Sequence, residues 1–293
     1  MFEQLGLIGC GLMGGSFALA LKRAKLVKRV VGYSKSPSTT ERARQLGVID
    51  VVAPSALLAV SGADLVLLAV PVAASEATFR AIRHGMSSDT LVMDVGSTKG
   101  DVIEAARNGL QSQFANFVPA HPIAGKEVSG IEHAEASLYT GRKVVLTPVK
   151  ATLRSNVQRA SQLWSGIGAN VVTMTHEEHD SAFAAVSHLP HLLAFAYVNA
   201  LIAQPQGDRF LSLAGPGFRD FSRIAASDPV MWRDVLLANR EQVLLQSQAF
   251  RKALLDLEAL MGAADAQALE QSIAAAKKAR AAWQPNTDAS QDS

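Results

Sequence analysis

Gln4-Leu5-Gly6-Leu7-Ile8-Gly9-Cys10-Gly11-Leu12-Met13-Gly14 opens the chain and runs through Gly15-Ser16 into the apolar stretch Phe17 to Leu21. The first five residues read as a buried strand, the glycines follow without a spacer, and a helical pattern comes directly after. A second strand, Arg29-Val30-Val31-Gly32-Tyr33, closes a βαβ unit. A lone G-x-G-x-x-G is a weak signal, but between a strand and a helix each glycine has a task. Gly9 permits the tight turn, Gly11 lets the backbone approach a pyrophosphate, and Gly14 lets the helix pack closely on the strand. The helix N-terminus stabilises the phosphate charge. This loop, with Leu12 and Met13, is expected to hold a dinucleotide.

The end of the second strand bears on which dinucleotide. A carboxylate there would bind the adenosine ribose and repel a 2′-phosphate. This chain has Ser34-Lys35-Ser36 instead, two hydroxyls and a cation, which favours NADP while Ser34 still tolerates NAD. The bland alternative for Lys35 is a solvated loop charge.

Further strands and helices alternate. Asp64 to Ala69 and Thr90 to Asp94 are continuous apolar strands, as a parallel sheet covered on both faces requires. Ligands on such sheets lie beyond the C-terminal strand ends. Three loops are therefore expected to converge there: Val70-Pro71, Val95-Gly96-Ser97-Thr98-Lys99, and Ala120-His121-Pro122-Ile123-Ala124-Gly125-Lys126-Glu127. Ser97 reads equally as a cap for the helix that follows or as a hydroxyl in the site. His121 carries the side chain most easily poised to exchange a proton near neutral pH. Lys143 to Thr147 and Asn170 to Met174 are expected to extend the same sheet. From residue 175 the pattern becomes helical, and the tail from Pro285 is polar. The expected architecture is an α/β, doubly wound parallel sheet over residues 1–174, an all-helical part over 175–284, and a disordered tail over 285–293.

Composition narrows the function. The chain has 293 residues and a formal charge of +2, so electrostatics make no case for nucleic acid or an anionic membrane. Its single cysteine, Cys10, fits a reducing compartment, and the N-terminus shows no basic-then-apolar leader. The longest apolar run, Leu192 to Ala203, is too short for a bilayer. A cytoplasmic protein is expected.

The helical part opens with His176-Glu177-Glu178-His179, one residue short of a zinc-protease motif, so metal is not expected. Ser187-His188-Leu189-Pro190-His191 and Gly215-Pro216-Gly217-Phe218-Arg219-Asp220-Phe221-Ser222-Arg223 follow. Arg219 and Arg223, four apart, are expected on one helix face among Phe218, Phe221 and Ile224, a setting that would suit a carboxylate clamp.

With these patterns assembled, the chain resembles the prephenate/arogenate dehydrogenase family of tyrosine biosynthesis. Gly9 to Ser16, Gly96 to Lys99, His121 to Glu127, and Ser187 to His191 with Phe218 to Trp232 carry the resemblance, in the family's order and spacing. It implies a Rossmann domain, an all-helical dimerisation domain, and oxidative decarboxylation of a cyclohexadienol by NAD(P). By the same resemblance His121 accepts the hydroxyl proton, and Ser97 orients that hydroxyl or the nicotinamide. Arg223 binds the ring carboxylate with Arg219 as a second cation. His191 and Ser187 receive the substrate side chain, and Glu127 gates the pocket. Two other classes stay open: a β-hydroxyacid dehydrogenase or pyrroline-carboxylate reductase, and a non-catalytic NADP-sensing module.

Overall fold

The computed structural model describes residues 1–125 and 128–283. Six strands form a parallel sheet: β1 (Phe2–Ile8), β2 (Val27–Tyr33), β3 (Val51–Val52), β4 (Leu65–Leu68), β5 (Leu91–Asp94) and β6 (Phe117–Val118), in the order β3-β2-β1-β4-β5-β6. Side chains alternate across a strand, and here both faces are buried. Leu65 and Leu67 join Leu5, Leu7, Phe17, Leu91 and Trp164 on one side. Val66 and Leu68 join Ile8, Phe79, Val92 and Ile103 on the other. This explains the unbroken apolar runs in the sequence. The order reverses between β1 and β4, which opens a crevice beyond their C-terminal ends. The glycine loop leaves β1 at that point, and Val70-Pro71 follows β4.

The two later strands do not extend this sheet. β7 (Ala120–Pro122), β8 (Lys143–Leu146) and β9 (Asn170–Thr173) form a second, three-stranded sheet, with β7 antiparallel to β8 and β8 parallel to β9. The cause is local. Pro119 has no N–H to give, and the Ala120 N–H is taken by the Asp94 carboxylate at 2.9 Å, so the ladder to β5 stops at Val118. The chain then turns its other side to β8, beginning with a bond from Thr147 N–H to Pro119 O at 3.0 Å.

Beyond β9, helical structure runs from His176 to Ile202, with a π-helical turn at Ala184–His188 just before Pro190. By length and composition this run, at mean hydropathy 1.4, is long and apolar enough to cross a membrane, a longer stretch than Leu192 to Ala203. Its first half, however, carries His179, Asp180 and His188, which are tied into polar contacts inside the protein. Helices Gly207–Ser212, Pro216–Ser222 and Pro229–Ala238 follow, with a 3-10 turn at Arg223–Ala226. The helical run from Pro229 to Gly262 is broken at Asn239, whose φ of −106° and ψ of 26° take it out of the helix. Its amide donates 2.8 Å to Asp180 O and lies 3.1 Å from His188 Nδ1, contacts a regular helical position would not make.

The chain divides into two compact units, Met1–Arg240 and from Glu241 onward. The second unit consists of the remainder of helix Arg240–Gly262 and of helix Ala266–Ala282. Leu244, Leu254 and Leu255 are among its exposed apolar side chains.

Candidate active site

Gly9 adopts φ +99°, and a Cβ there would lie 2.2 Å from Ala69 O on the neighbouring strand's end, so only glycine fits. A Cβ on Gly14 would meet Gly9 O at 2.2 Å, the mark of a helix packed tightly on its loop. Gly11, by contrast, faces open space, with nothing within 4 Å of its would-be Cβ. The helix Leu12–Arg23 starts there with no side-chain cap and no acidic residue in its first turn. Its orphan N–H groups are left for an anion, and the residues fit a dinucleotide pyrophosphate. Ser34, at the end of β2, accepts a hydrogen bond from Cys10 N–H at 2.8 Å, while Lys35 is exposed. Val70 and Pro71 flank the same crevice at the start of the next helical turn.

Ser97 does not cap the helix Gly100–Leu110. Asp180, eighty residues away, does so instead, accepting from Lys99 N–H at 2.9 Å and Gly100 N–H at 2.8 Å. That leaves Ser97 half-buried in the loop beyond β5. Beneath it Lys99 is fully buried and ion-paired with Asp94. The Lys99 ammonium also donates to Ala120 O at 2.9 Å, and Asp94 accepts from Ala120 N–H. Both backbone groups of the residue before His121 are thus held by charged partners.

His121 Nδ1 lies 2.8 Å from His179 Nε2, and His179 Nδ1 lies 2.8 Å from Asp180 Oδ1. Phe183 packs against both rings, at centroid distances of 4.7 and 4.5 Å. Burial, reinforced by His179, Lys99 and His188, holds the His121 imidazole well below the ordinary histidine value. Burial also lowers His179, partly offset by its bond to Asp180. Burial alone would raise Asp180, but hydrogen bonds from His179, Gly100 N–H and Lys99 N–H outweigh it, and the net direction is down. Burial takes His188 to about 4.

His121 faces a cavity of about 740 Å³ whose wall also contains Phe183, Ser187, His191, Arg142 and Arg223. His191 donates from Nδ1 to Ser187 O at 2.9 Å and stacks on Trp232 with centroids 3.5 Å apart. The cavity thus brings together His121, Ser187, His191 and Arg223. Arg219 is not in its wall and pairs with its neighbour Asp220 at 3.1 Å. The two arginines do not share a regular helix face, because the helix gives way to the 3-10 turn at Arg223. Arg223 is exposed in the single chain, as is Phe221, so the apolar setting expected for it is not supplied there. Glu127 lies outside the described residues.

Sequence reasoning gave no site role to His179, Asp180, Asn239 or Trp232. His179 was legible only as the end of a failed metal motif, and nothing local marks Asp180 or Asn239.

The family model described as the nucleotide-binding domain of prephenate dehydrogenase matches residues 17–173, and that of its dimerization domain matches residues 175–275. The chain belongs to the prephenate dehydrogenase family. Relatives in that family include the prephenate dehydrogenase of Bacillus subtilis, 38% identical over 83% of this chain and 66% of that protein. The cyclohexadienyl dehydrogenase of Zymomonas mobilis is 32% identical over 98% of both chains. Among solved structures, prephenate dehydrogenase from A. aeolicus in complex with hydroxyphenyl propionate and NAD+ is 38% identical with a TM-score of 0.89, covering 96% of this chain and 97% of that one. Synechocystis arogenate dehydrogenase is 27% identical with a TM-score of 0.81, covering 95% and 99%.

Proposed function

We propose that this protein oxidatively decarboxylates prephenate, arogenate or both, with NADP preferred over NAD, as a cytoplasmic homodimer. The observation that carries the reading is the single cavity wall in which a low-pKa histidine, a second histidine stacked on tryptophan, and an arginine face one another. When bound, the nicotinamide accepts the hydride from the carbinol carbon of the ring. His121, neutral at physiological pH, takes the hydroxyl proton as positive charge develops on that carbon. Ser97 orients the same hydroxyl. Arg223 holds the ring carboxylate through two parallel hydrogen bonds, and that attraction lapses when neutral CO2 forms. Ser187 and His191 receive the substrate's side chain, with Arg219 as an outer cation.

The NADP preference rests on Ser34, a neutral group where a carboxylate would repel the 2′-phosphate, with Lys35 beside it. Pairing of two copies rests on apolar side chains left uncovered in one chain, including Leu244 at 58% and Leu255 at 60% exposure, together with the dimerization domain matched there. The deciding experiment follows NADPH or NADH formation with prephenate and with arogenate. Reduction with neither substrate refutes the reading.

A further inference from the structure

The chain of contacts behind His121 has a direction. Asp180 is ionised, and both its oxygens accept: Oδ1 from Lys99 N–H and from His179 Nδ1, Oδ2 from Gly100 N–H. A carboxylate can only accept, so the proton between it and His179 belongs to His179 Nδ1. Neutral His179 then has a lone pair on Nε2. That nitrogen can only accept from its partner 2.8 Å away, so the proton between the two imidazoles belongs to His121 Nδ1. His121 Nε2 is left as a lone pair at the cavity.

We propose that His179 and Asp180 are positioning residues that fix His121 as the Nδ1–H tautomer with a basic Nε2, and that stabilise the imidazolium formed when it takes the substrate's proton. This rests on the function proposed above and deepens it. In the step, the O–H bond of the ring carbinol breaks and its proton joins His121 Nε2. The C–H bond of the same carbon breaks with its electron pair leaving as hydride to the nicotinamide, and the new C=O bond takes the electrons of the O–H bond. The bond to the ring carboxylate then breaks and its pair enters the ring as CO2 departs; the carbonyl π pair returns to oxygen, which takes the proton back from His121 to give the phenol. After proton transfer His121 is cationic. His179 passes the influence of the Asp180 carboxylate to that charge without itself meeting substrate, the role of the orienting carboxylate in a hydrolase triad.

The surroundings make this support necessary. Lys99 on the segment after β5 and His188 on the π-turn both oppose a positive charge on His121, and burial opposes it further. Asp94 is committed to Lys99 and Ala120 N–H. Asp180, through His179, is the opposing anion in line with the ring. Because Asp180 also caps the helix behind the Ser97 loop, one carboxylate sets both the base and the segment carrying the hydroxyl.

The test has two arms. Nitrogen-15 NMR of the full chain without substrate, at mildly alkaline pH, reads the tautomer directly. The expected result is a protonated Nδ1 and a bare Nε2 for His121; a proton on Nε2 overturns the proposal even if no variant folds. In the second arm, His179→Leu removes the acceptor and should lower kcat by about one to three orders of magnitude, part of the usual worth of a positioned acid–base group. Substrate KM and cofactor affinity should change by a few-fold at most. His179→Gln, whose amide oxygen can accept from His121 Nδ1–H, should recover much of the loss. Asp180→Asn should move the low-pH limb of kcat to lower pH, since the imidazolium loses its anion. Wild-type kcat in His179→Leu overturns the proposal. His121→Asn separates the two readings: if it too retains turnover, the base assignment fails, whereas an inactive His121→Asn beside an unaffected His179→Leu refutes only the positioning role.

Discussion

Lys99→Met is the perturbation whose cost the structure lets one work out. Lys99 is 0% exposed and Asp94 3%, and they face each other beneath the site. Removing the ammonium leaves a carboxylate buried with two amide donors, Ala120 N–H at 2.9 Å and Gly96 N–H at 2.8 Å. Breaking one side of a buried pair costs about 3–5 kcal/mol, and the two remaining donors argue for the lower end. Ala120 O also loses its donor, adding about 1 kcal/mol or more. A loss of about 4 kcal/mol is a large share of the roughly 5–15 kcal/mol of an ordinary fold. At about 2–4 °C per kcal/mol for a domain of this size, the melting midpoint should fall by about 8–16 °C. The double variant Asp94→Asn/Lys99→Met carries no buried charge and should regain at least half of that loss. Thermal unfolding by circular dichroism measures both. A Lys99→Met protein melting within about 2 °C of wild type, or a double variant less stable than the single, would refute the reasoning.

Other outcomes follow from the same geometry. Ser34→Asp keeps the acceptor for Cys10 N–H but adds a charge, so KM for NADP should rise at least about tenfold relative to NAD, about 1.4 kcal/mol; a wild type that already prefers NAD tenfold would sink this account of the loop. Arg223→Ala should raise substrate KM by about ten- to a hundredfold, toward the low end for a lost charged contact because Arg223 is exposed in one chain, with cofactor affinity unchanged. Arg223→Lys should recover part, and Arg219→Ala should do less harm; the reverse ranking means the wrong arginine was chosen. His188 titrates near 6.5 unfolded and about 4 folded, so its contribution is complete above pH 6.5, declines as pH falls through that window, and is gone below 4. The difference is about 3 kcal/mol at 1.36 kcal/mol per unit, and denaturant melts across the window should show a shallower slope in His188→Gln; equal slopes would contradict it.

The Rossmann half was readable because its information is local. A strand, three spaced glycines and a helix each leave a short-range imprint, and Leu65 to Leu68 records burial on both faces without any partner in view. The second sheet was misread for the opposite reason. What detaches β7 from β5 is a side chain of β5 itself, Asp94, taking the N–H of Ala120 just past a proline. Likewise a helical periodicity runs straight through Asn239, and only its distant partners Asp180 and His188 explain why the helix breaks there.

The candidate site divides along the same line. His121, His191 and Arg223 were nameable because each sits in a short recognisable pattern. Their support was not, because it is shared across long separations. Asp180 directly follows a defective metal motif and drew no reading, yet it caps a helix eighty residues earlier and closes on His179, which closes on His121. A motif that fails one test can still be the scaffold of another, since a histidine next to an aspartate on a helix is as able to orient a second imidazole as to bind zinc. What decides is whether both ring nitrogens of His179 are already engaged, and here they are: one by a carboxylate and the other by the proposed base.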